Sequence, residues 1–147
     1  MKITSNLHSA LYRCTGGRIG GQLGGLPVLL LTTIGRRTRR RRTTPLVYLG
    51  DGEDLVIVGS NGGNDWHPSW YRNLLRNQHA EVQINTQRKR VAGVTATGSE
   101  RERLWQEVVK LWPGYARYQE GTNRSIPLVV LRDEGPPNDA SLHSPDS

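Results

Sequence analysis

The chain has little that would support disulfides, membrane spans or export. Its 147 residues include one cysteine, Cys14, so no disulfide can form within the chain. A lone thiol is typical of a protein from a reducing compartment. No apolar run approaches the roughly 20 residues that a membrane-spanning helix needs. The first residues lack an apolar core followed by a small-residue cleavage site, so we expect a cytoplasmic protein.

Patterns for metal binding, protein-only hydrolysis and dinucleotide binding are also missing. The four histidines are scattered and no cysteine stands at ligand spacing to them, so no metal site is expected. No Gly-x-Ser-x-Gly motif is present, and no nucleophile stands beside an obvious base. Residues 16–26 are rich in glycine, but they lack the preceding strand and following helix of a dinucleotide fingerprint. Any difficult chemistry would therefore depend on a bound cofactor.

Basic residues dominate what is present. Lys and Arg number 20 against 13 Asp and Glu, which gives a formal net charge of +7. This balance favours an anionic partner, whether nucleic acid, a membrane surface or a phosphorylated small molecule. Six of the seven residues 36–42 are arginine, between β-prone segments 27–33 and 43–49. Held by two strands, such a loop is a fixed site for phosphate or carboxylate. The alternative is a solvated, self-repelling loop that binds nothing specific.

The chain has the length of one domain and divides into three parts. Residues 1–15 have the spacing of a short amphipathic helix, and the glycine-rich residues 16–26 are expected to be a connector. The domain is expected over residues 16–132, and its folded body begins at Pro27, after this connector. Residues 133–147 are rich in Pro, Asp, Ser and Asn, which favours a disordered tail.

Within the body, strands outnumber helices. Six segments favour strands: 27–33, 43–49, 55–60, 81–85, 89–97 and 126–131. Three or four short helices complete the pattern, counting the one near the N-terminus. Strands joined by hairpins with a few short helices predict a mainly β (α+β) fold, a small and mostly antiparallel barrel.

Three helices are expected inside the body. The first begins near Pro68 and has one apolar face, formed by Trp70, Tyr71, Leu74 and Leu75. The second begins at a capping box formed by Ser99 and Glu102, and its core positions are Leu104, Trp105, Val108 and Leu111. The third is a short helical turn that carries Tyr115 and Tyr118 on one face.

The order and spacing of several segments resemble the deazaflavin-dependent nitroreductase family, actinobacterial enzymes that use coenzyme F420. The segments are 25–33, 35–38 with 42–46, 60–63, 67–74, 113–119 and 122–127. The resemblance covers about residues 17–131 and implies a split β-barrel. The chain departs from the family pattern at Arg37, Arg39 and Arg41, where lysine, glycine and proline are common, and at residues 64–66 and Val47.

The resemblance also implies which residues hold the cofactor. Its phosphate and carboxylate tail would be held by Arg36, Arg37, Thr38 and Arg42. Its ring would be held by Thr43, Thr44, Pro45, Leu46 and Val47, and by Val58, Gly59, Ser60 and Asn61. The start of the first helix would complete the pocket with Ser69, Trp70, Tyr71, Arg72 and Asn73. Trp70 could equally be a core aromatic residue, since its spacing fits an amphipathic helix.

On the acceptor side, the resemblance implies a catalytic tyrosine at Tyr118, with Tyr115 beside it. A phenol can donate a hydrogen bond to a quinone or nitro oxygen, and Ser60 could donate to the same atom. The alternative is that the two tyrosines are a structural pair that closes the barrel.

The implied activity is hydride transfer from reduced coenzyme F420 to a quinone or another electron-poor acceptor, with nitro compounds reduced incidentally. Two alternatives stay open: a non-catalytic protein that binds a deazaflavin or FMN, and a basic nucleic-acid-binding module. The second lacks the aromatic platform or recognition helix of a base reader, so no specific nucleic acid is expected. The family's quinones reside in membranes, so residues 1–14 are expected to allow peripheral contact with the inner face of the cell membrane.

Overall fold

The computed structural model describes residues 22–23 and 26–137, which form seven strands, three α-helices and one 3-10 turn. The strands are β1 (Gln22–Leu23), β2 (Leu26–Ile34), β3 (Arg41–Asp51), β4 (Asp54–Val58), β5 (His79–Ile84), β6 (Gln87–Thr95) and β7 (Leu128–Gly135). The helices are α1 (Ser69–Arg76), α2 (Gly98–Leu111) and α3 (Gly114–Glu120), and the 3-10 turn is Asn61–Gly63.

Six of these strands close into an antiparallel barrel. Their order is β2-β3-β4-β7-β6-β5, and β5 pairs again with β2 to complete the ring. Every pairing is antiparallel. The predicted barrel of six antiparallel strands is therefore confirmed. The short strand β1 pairs with the start of β2, so part of the expected glycine-rich connector is a strand.

Alternating side chains fill the barrel because successive strand residues point to opposite faces. The interior cluster takes two residues each from β2, β4 and β7, namely Leu29, Leu31, Leu55, Ile57, Val129 and Leu131. Helix α1 packs against this cluster with Trp70, Tyr71 and Leu74. The start of α1 is therefore anchored in the barrel interior.

A second apolar cluster lies on the other face of β4 and β7, where α2 and α3 cover them. Its strand members are Val56, Val58, Leu128 and Val130, and its helix members are Leu104, Val108 and Tyr115. Strand β4 is therefore buried on both faces, which explains its continuous apolar run.

The structure corrects four details of the expected elements. Leu75 is 64% exposed, whereas Trp70, Tyr71 and Leu74 are buried, so Leu75 lies outside the buried face of α1. The capping box does not form: α2 begins at Gly98, and its N-cap residue Thr97 makes no side-chain cap bond. Trp105 and Leu111 are only partly buried. Strand β7 continues to Gly135, so the first three residues of the expected tail belong to the barrel.

The remaining terminal predictions, the helix at residues 1–15 and the tail from residue 138 onward, lie outside the described residues. Within the described ranges, no helix is both long enough and apolar enough to cross a membrane.

Candidate functional site

The arginine-rich loop between β2 and β3 has a defined backbone. The Gly35 N–H donates to Arg40 O at 2.7 Å, and the Arg39 N–H donates to Gly35 O at 2.8 Å. The Thr38 hydroxyl accepts from the Arg40 N–H at 3.2 Å. A Cβ added at Gly35 would lie 2.8 Å from Thr38 Oγ1, so this close approach requires glycine. The arginines are thus presented on a tight, internally bonded turn.

Arg39 adopts a backbone conformation that favours glycine. Its φ is 59°, in the left-handed region where a Cβ is strained. The resemblance led us to expect glycine at this place, and the chain carries arginine there in a conformation that suits glycine. The backbone strain of this conformation lies at a residue whose side chain is exposed.

Asn73 on helix α1 ties this loop to the barrel. Its side chain is 4% exposed. Its Oδ1 accepts from Arg36 N at 3.1 Å and from Arg36 Nη1 at 3.2 Å. Its Nδ2 donates to the buried Thr33 Oγ1 at 3.1 Å. The amide is therefore occupied by protein partners, and Asn73 fixes the position of the loop.

A cavity of about 440 Å³ lies between the arginine-rich loop and the start of α1. Its lining includes Thr33, Gly35, Arg36, Arg37, Thr38, Arg41, Arg42, Thr43, Thr44, Ser69, Trp70 and Asn73. Four of these are arginines, and none of the described lining residues is acidic. The cavity is therefore strongly cationic, with hydroxyl groups and one indole beside the guanidinium groups.

The register of β2 and β3 decides which face of β3 carries Arg41 and which carries Arg42, the last two arginines of residues 36–42. Arg42 is opposite Thr33, on the face of β3 that Thr44 shares and that continues into the barrel interior. Arg41 is one residue earlier and so belongs to the other face. There its Nη2 donates to Glu81 Oε2 at 3.0 Å, while Arg88 approaches the other carboxylate oxygen at 3.6 Å. The charge of Arg41 is partly neutralised, and that of Arg42 is available to a ligand.

The structure brings together half of the predicted cofactor residues. The cavity is lined by nine of them: Arg36, Arg37, Thr38, Arg42, Thr43, Thr44, Ser69, Trp70 and Asn73. Trp70 is both a core residue and part of the wall, so the two interpretations of it are compatible. Sequence reasoning missed Thr33, Gly35 and Arg41 as lining residues, although Gly35 and Arg41 are adjacent in sequence to the predicted Arg36 and Arg42.

The other predicted cofactor residues do not line this cavity. They are Pro45, Leu46, Val47, Val58, Gly59, Ser60, Asn61, Tyr71 and Arg72. Tyr71 packs in the barrel core, where its hydroxyl is 2.9 Å from Thr95 Oγ1. Gly59 is in close contact with Pro127, since an added Cβ would lie 2.6 Å from Pro127 Cγ. Arg72 is exposed on α1.

The predicted catalytic residues form a second group. Tyr118 on α3 packs against the 3-10 turn that follows Ser60, where an added Cβ at Gly63 would lie 3.1 Å from Tyr118 Cδ1. The Tyr118 ring meets Trp112 edge-on at 5.5 Å between centroids, and Tyr115 at 6.4 Å. The Ser60 turn and the tyrosine helix are therefore neighbours.

Tyr115 and Tyr118 differ in their access to solvent. Tyr115 is 4% exposed, and burial raises the pKa of its phenol to about 12. It stays protonated at physiological pH and packs on Trp112 at 4.9 Å between ring centroids. Tyr118 is partly exposed. Tyr115 thus supports the aromatic cluster, and Tyr118 is the member that an acceptor could reach.

Arg124 is a residue of this region that sequence reasoning left without a role. Its Nη2 donates to Ser60 O at 2.7 Å, and its Nη1 donates to Gly59 O at 3.0 Å and to His67 Nδ1 at 3.0 Å. Since a guanidinium only donates, His67 Nδ1 accepts and the neutral ring carries its proton on Nε2. Burial, together with the charges of Arg124 and Arg72, lowers the pKa of His67.

Comparisons with known proteins agree with this arrangement. The sequence profile of the F420H(2)-dependent quinone reductase family matches residues 4–133. An F420H(2)-dependent quinone reductase of Mycobacterium tuberculosis strain H37Rv is 43% identical over 132 residues, which cover 85% of this chain and 87% of that protein.

Solved structures give the same result. An F420-H2-dependent reductase, FDR-A, superposes with a TM-score of 0.67 at 34% identity, covering 72% of this chain and 94% of the other. A second solved structure, described as a domain-swapped dimer, has a TM-score of 0.68 at 31% identity, covering 84% of this chain and 98% of the other. The resemblance inferred from the motifs is therefore confirmed, and the chain belongs to the F420H(2)-dependent quinone reductase family.

Proposed function

We propose that the chain transfers hydride from reduced coenzyme F420 to a quinone, with the cofactor's anionic part held in the cavity beside the arginine-rich loop. The observation that carries this proposal is the composition of the cavity. Arg36, Arg37 and Arg42, several hydroxyl groups and the Trp70 indole line it, and no acidic residue is among the described lining. Such a site fits a ligand that has phosphate and carboxylate groups attached to an aromatic ring.

The cofactor supplies the hydride, and the chain's residues bind and orient the cofactor. Arg37 and Arg42 offer planar donor forks to its phosphate and carboxylate oxygens. The first N–H groups of α1, at Ser69 and Trp70, precede the first intrahelical bonds and add to the positive potential of a helix N-terminus. Asn73 holds the loop and the helix at a fixed separation.

The acceptor side is assigned to the Ser60 turn and to Tyr118. Their hydroxyl groups can donate hydrogen bonds to an acceptor oxygen as negative charge develops on it. The aromatic cluster of Trp112, Tyr115 and Tyr118 offers an apolar wall to a quinone ring. The chain thereby contributes orientation and exclusion of water.

The test of this function compares two cofactors and then measures turnover. F420 fluorescence and FMN fluorescence are each titrated with the protein, and oxidation of reduced F420 is followed with a soluble quinone such as menadione. We expect tighter binding of F420 than of FMN and many turnovers per protein molecule. A single turnover would indicate a carrier protein, and preference for FMN would contradict the proposed cofactor.

A gel shift with mixed nucleic acids tests the remaining alternative, a basic nucleic-acid-binding module, for which we expect no shift.

Replacing Tyr118 with phenylalanine tests the acceptor side. We expect kcat with menadione to fall about fivefold to tenfold, because one hydrogen bond to the developing charge contributes about 1–1.5 kcal/mol. F420 affinity should stay within twofold, since Tyr118 is not a lining residue of the cationic cavity. Tyr115→Phe is the control, because its buried hydroxyl is not available to the acceptor. Equal rates for wild type and Tyr118→Phe, with a lowered melting temperature, would favour a purely structural tyrosine.

A peripheral membrane role for the first residues remains part of the proposal. Leu7 and Leu11 share one helical face in the sequence pattern, and Lys2 and Arg13 would lie near anionic headgroups. We expect the full chain, but not a variant that begins at Gly16, to sediment weakly with anionic vesicles. Equal sedimentation of both proteins would remove this role, while loss of sedimentation with retained menadione reduction would support it.

A further inference from the structure

Almost all hydrogen-bond donors of the Arg124 side chain are bonded to one segment of the chain. Besides its bonds to Gly59, Ser60 and His67, its Nε donates to Asn64 O at 2.8 Å. Four of the five N–H groups of the guanidinium are therefore occupied. All four acceptors lie in residues 59–67, which join β4 to the start of α1. A guanidinium so occupied has little capacity left for a ligand.

The backbone of Arg124 is fixed from the other side by helix α3. Gln119, the residue after Tyr118, donates from Nε2 to Arg124 O at 2.8 Å. Its Oε1 accepts from Ile126 N at 2.9 Å. Gln119 thus holds the segment on both sides of residue 125, and Arg124 connects the helix that carries Tyr118 to the turn that carries Ser60.

We propose that Arg124 is a positioning residue for the reaction: it fixes residues 59–67 against α3, so that Ser60 and Tyr118 keep the separation that an acceptor requires. This inference rests on the proposed function, because the acceptor is the quinone assigned above. The same segment leads directly into the start of α1, whose residues line the cationic cavity. Arg124 therefore acts through the backbone of its partners and does not touch the reacting groups.

Arginine suits this task, and lysine does not. The planar fork spans backbone oxygens of three residues and a ring nitrogen in fixed directions, whereas an ammonium group is a single point with three donors. Arg124→Lys keeps the charge but cannot satisfy Gly59 O, Ser60 O, Asn64 O and His67 Nδ1 together. Small displacements of positioned groups lower rates markedly, up to about a hundredfold for a shift of about 1 Å.

The experiment compares Arg124→Lys with a matched control, Arg90→Lys. Arg90 also donates to two backbone carbonyls, those of Glu134 and Pro136, but it lies on the exposed side of β6. Three quantities are measured on the full chain: hydrogen exchange of residues 59–67, Kd for F420 by fluorescence, and kcat with menadione. For Arg124→Lys we expect faster exchange in this segment, kcat lowered about fivefold to tenfold and Kd within threefold of wild type. For Arg90→Lys we expect all three to match wild type.

Further variants keep the test decisive if Arg124→Lys folds poorly. Gln119→Glu removes the donor to Arg124 O but keeps the acceptor for Ile126 N, so we expect the same pattern with a smaller amplitude. Arg124→Gln removes the charge, and NMR titration should then show a higher pKa for His67, while Arg124→Lys should keep it low. Unchanged exchange and wild-type kcat in Arg124→Lys or in Gln119→Glu would overturn the proposal.

Wild-type protein distinguishes a failure of the proposed function from a failure of the Arg124 role. If wild type binds F420 but reduces no quinone, the proposed function fails, and with it the reaction for which Arg124 is said to position groups. If wild type is active and Arg124→Lys behaves like Arg90→Lys, only the role of Arg124 fails.

Discussion

The double variant Arg37→Ala/Arg42→Ala is expected to bind F420 roughly a hundredfold more weakly than wild type. Each charge-assisted hydrogen bond contributes about 1.5–3 kcal/mol, which is roughly tenfold or more in affinity for each arginine. Both side chains line the cationic cavity, and register places Arg42 on the face of β3 that leads into the barrel. Fluorescence titration of F420 measures the effect for the single variants and for the double variant.

Arg40→Ala is the matched control for the arginine-rich loop. It removes one charge from the same loop, but Arg40 does not line the cavity and its backbone pairing with Gly35 is unaffected. We expect less than a threefold change in Kd from this variant, because the removed charge acts on F420 only through the long-range electrostatic potential. If Arg37, Arg40 and Arg42 proved equivalent, the loop would be a diffuse electrostatic surface. Added salt should weaken binding without abolishing it, because exposed charges are screened over about 8 Å at physiological ionic strength.

The barrel could be predicted because its determinants are local. All six predicted barrel strands were found, since short β-prone runs bounded by turns mark each of them. The alternation of side chains along a strand explains why Arg42 and Arg41 differ in their surroundings. Once Thr33 is opposite Arg42, the neighbouring arginine must belong to the outer face, where Glu81 partly neutralises it.

The parts that escaped prediction depend on contacts between distant residues. Helix α1 was assigned an apolar face that included Leu75, whereas the position turned toward the arginine-rich loop belongs to Asn73. A buried amide at that place makes sense only because the loop, 37 residues earlier, brings Arg36 to it. Arg124 is similar, since its partners at Gly59 and Ser60 are more than 60 residues away. Periodicity and spacing carry no signal for such pairs.

The backbone conformation of Arg39 is set by local hydrogen bonds in the loop. The sequence departs from the family pattern there, with arginine at the place where glycine is common. The backbone of Arg39 adopts the left-handed conformation, with φ of 59°, because the bonds between Gly35, Arg39 and Arg40 define the turn. A bonded turn can impose a strained φ on a residue that is not glycine, at a cost of roughly 1–2 kcal/mol. The loop's shape therefore follows from its backbone pairing.

Asn73→Ala is expected to lower both stability and cofactor affinity. The buried Thr33 hydroxyl and the Arg36 N–H would lose their partner, which costs about 2–4 kcal/mol of unfolding free energy. The melting temperature should fall by roughly 5–15 °C for a domain of this size. F420 affinity should fall about tenfold, because the loop that carries Arg37 would lose its connection to α1. Thermal unfolding and F420 titration measure the two effects.

Two further variants separate the role of the amide from a general effect on helix α1. Asn77→Ala removes an exposed side chain at the end of the same helix, whose Oδ1 accepts from His79 N, and should change neither quantity appreciably. Asn73→Asp keeps an acceptor for both Arg36 donors, and the Thr33 hydroxyl can rotate to donate to it. It should therefore retain more of the affinity than Asn73→Ala does. If Asn73→Ala lost stability but kept wild-type F420 affinity, Asn73 would support only the barrel, and the loop would hold its shape through the Gly35 turn alone.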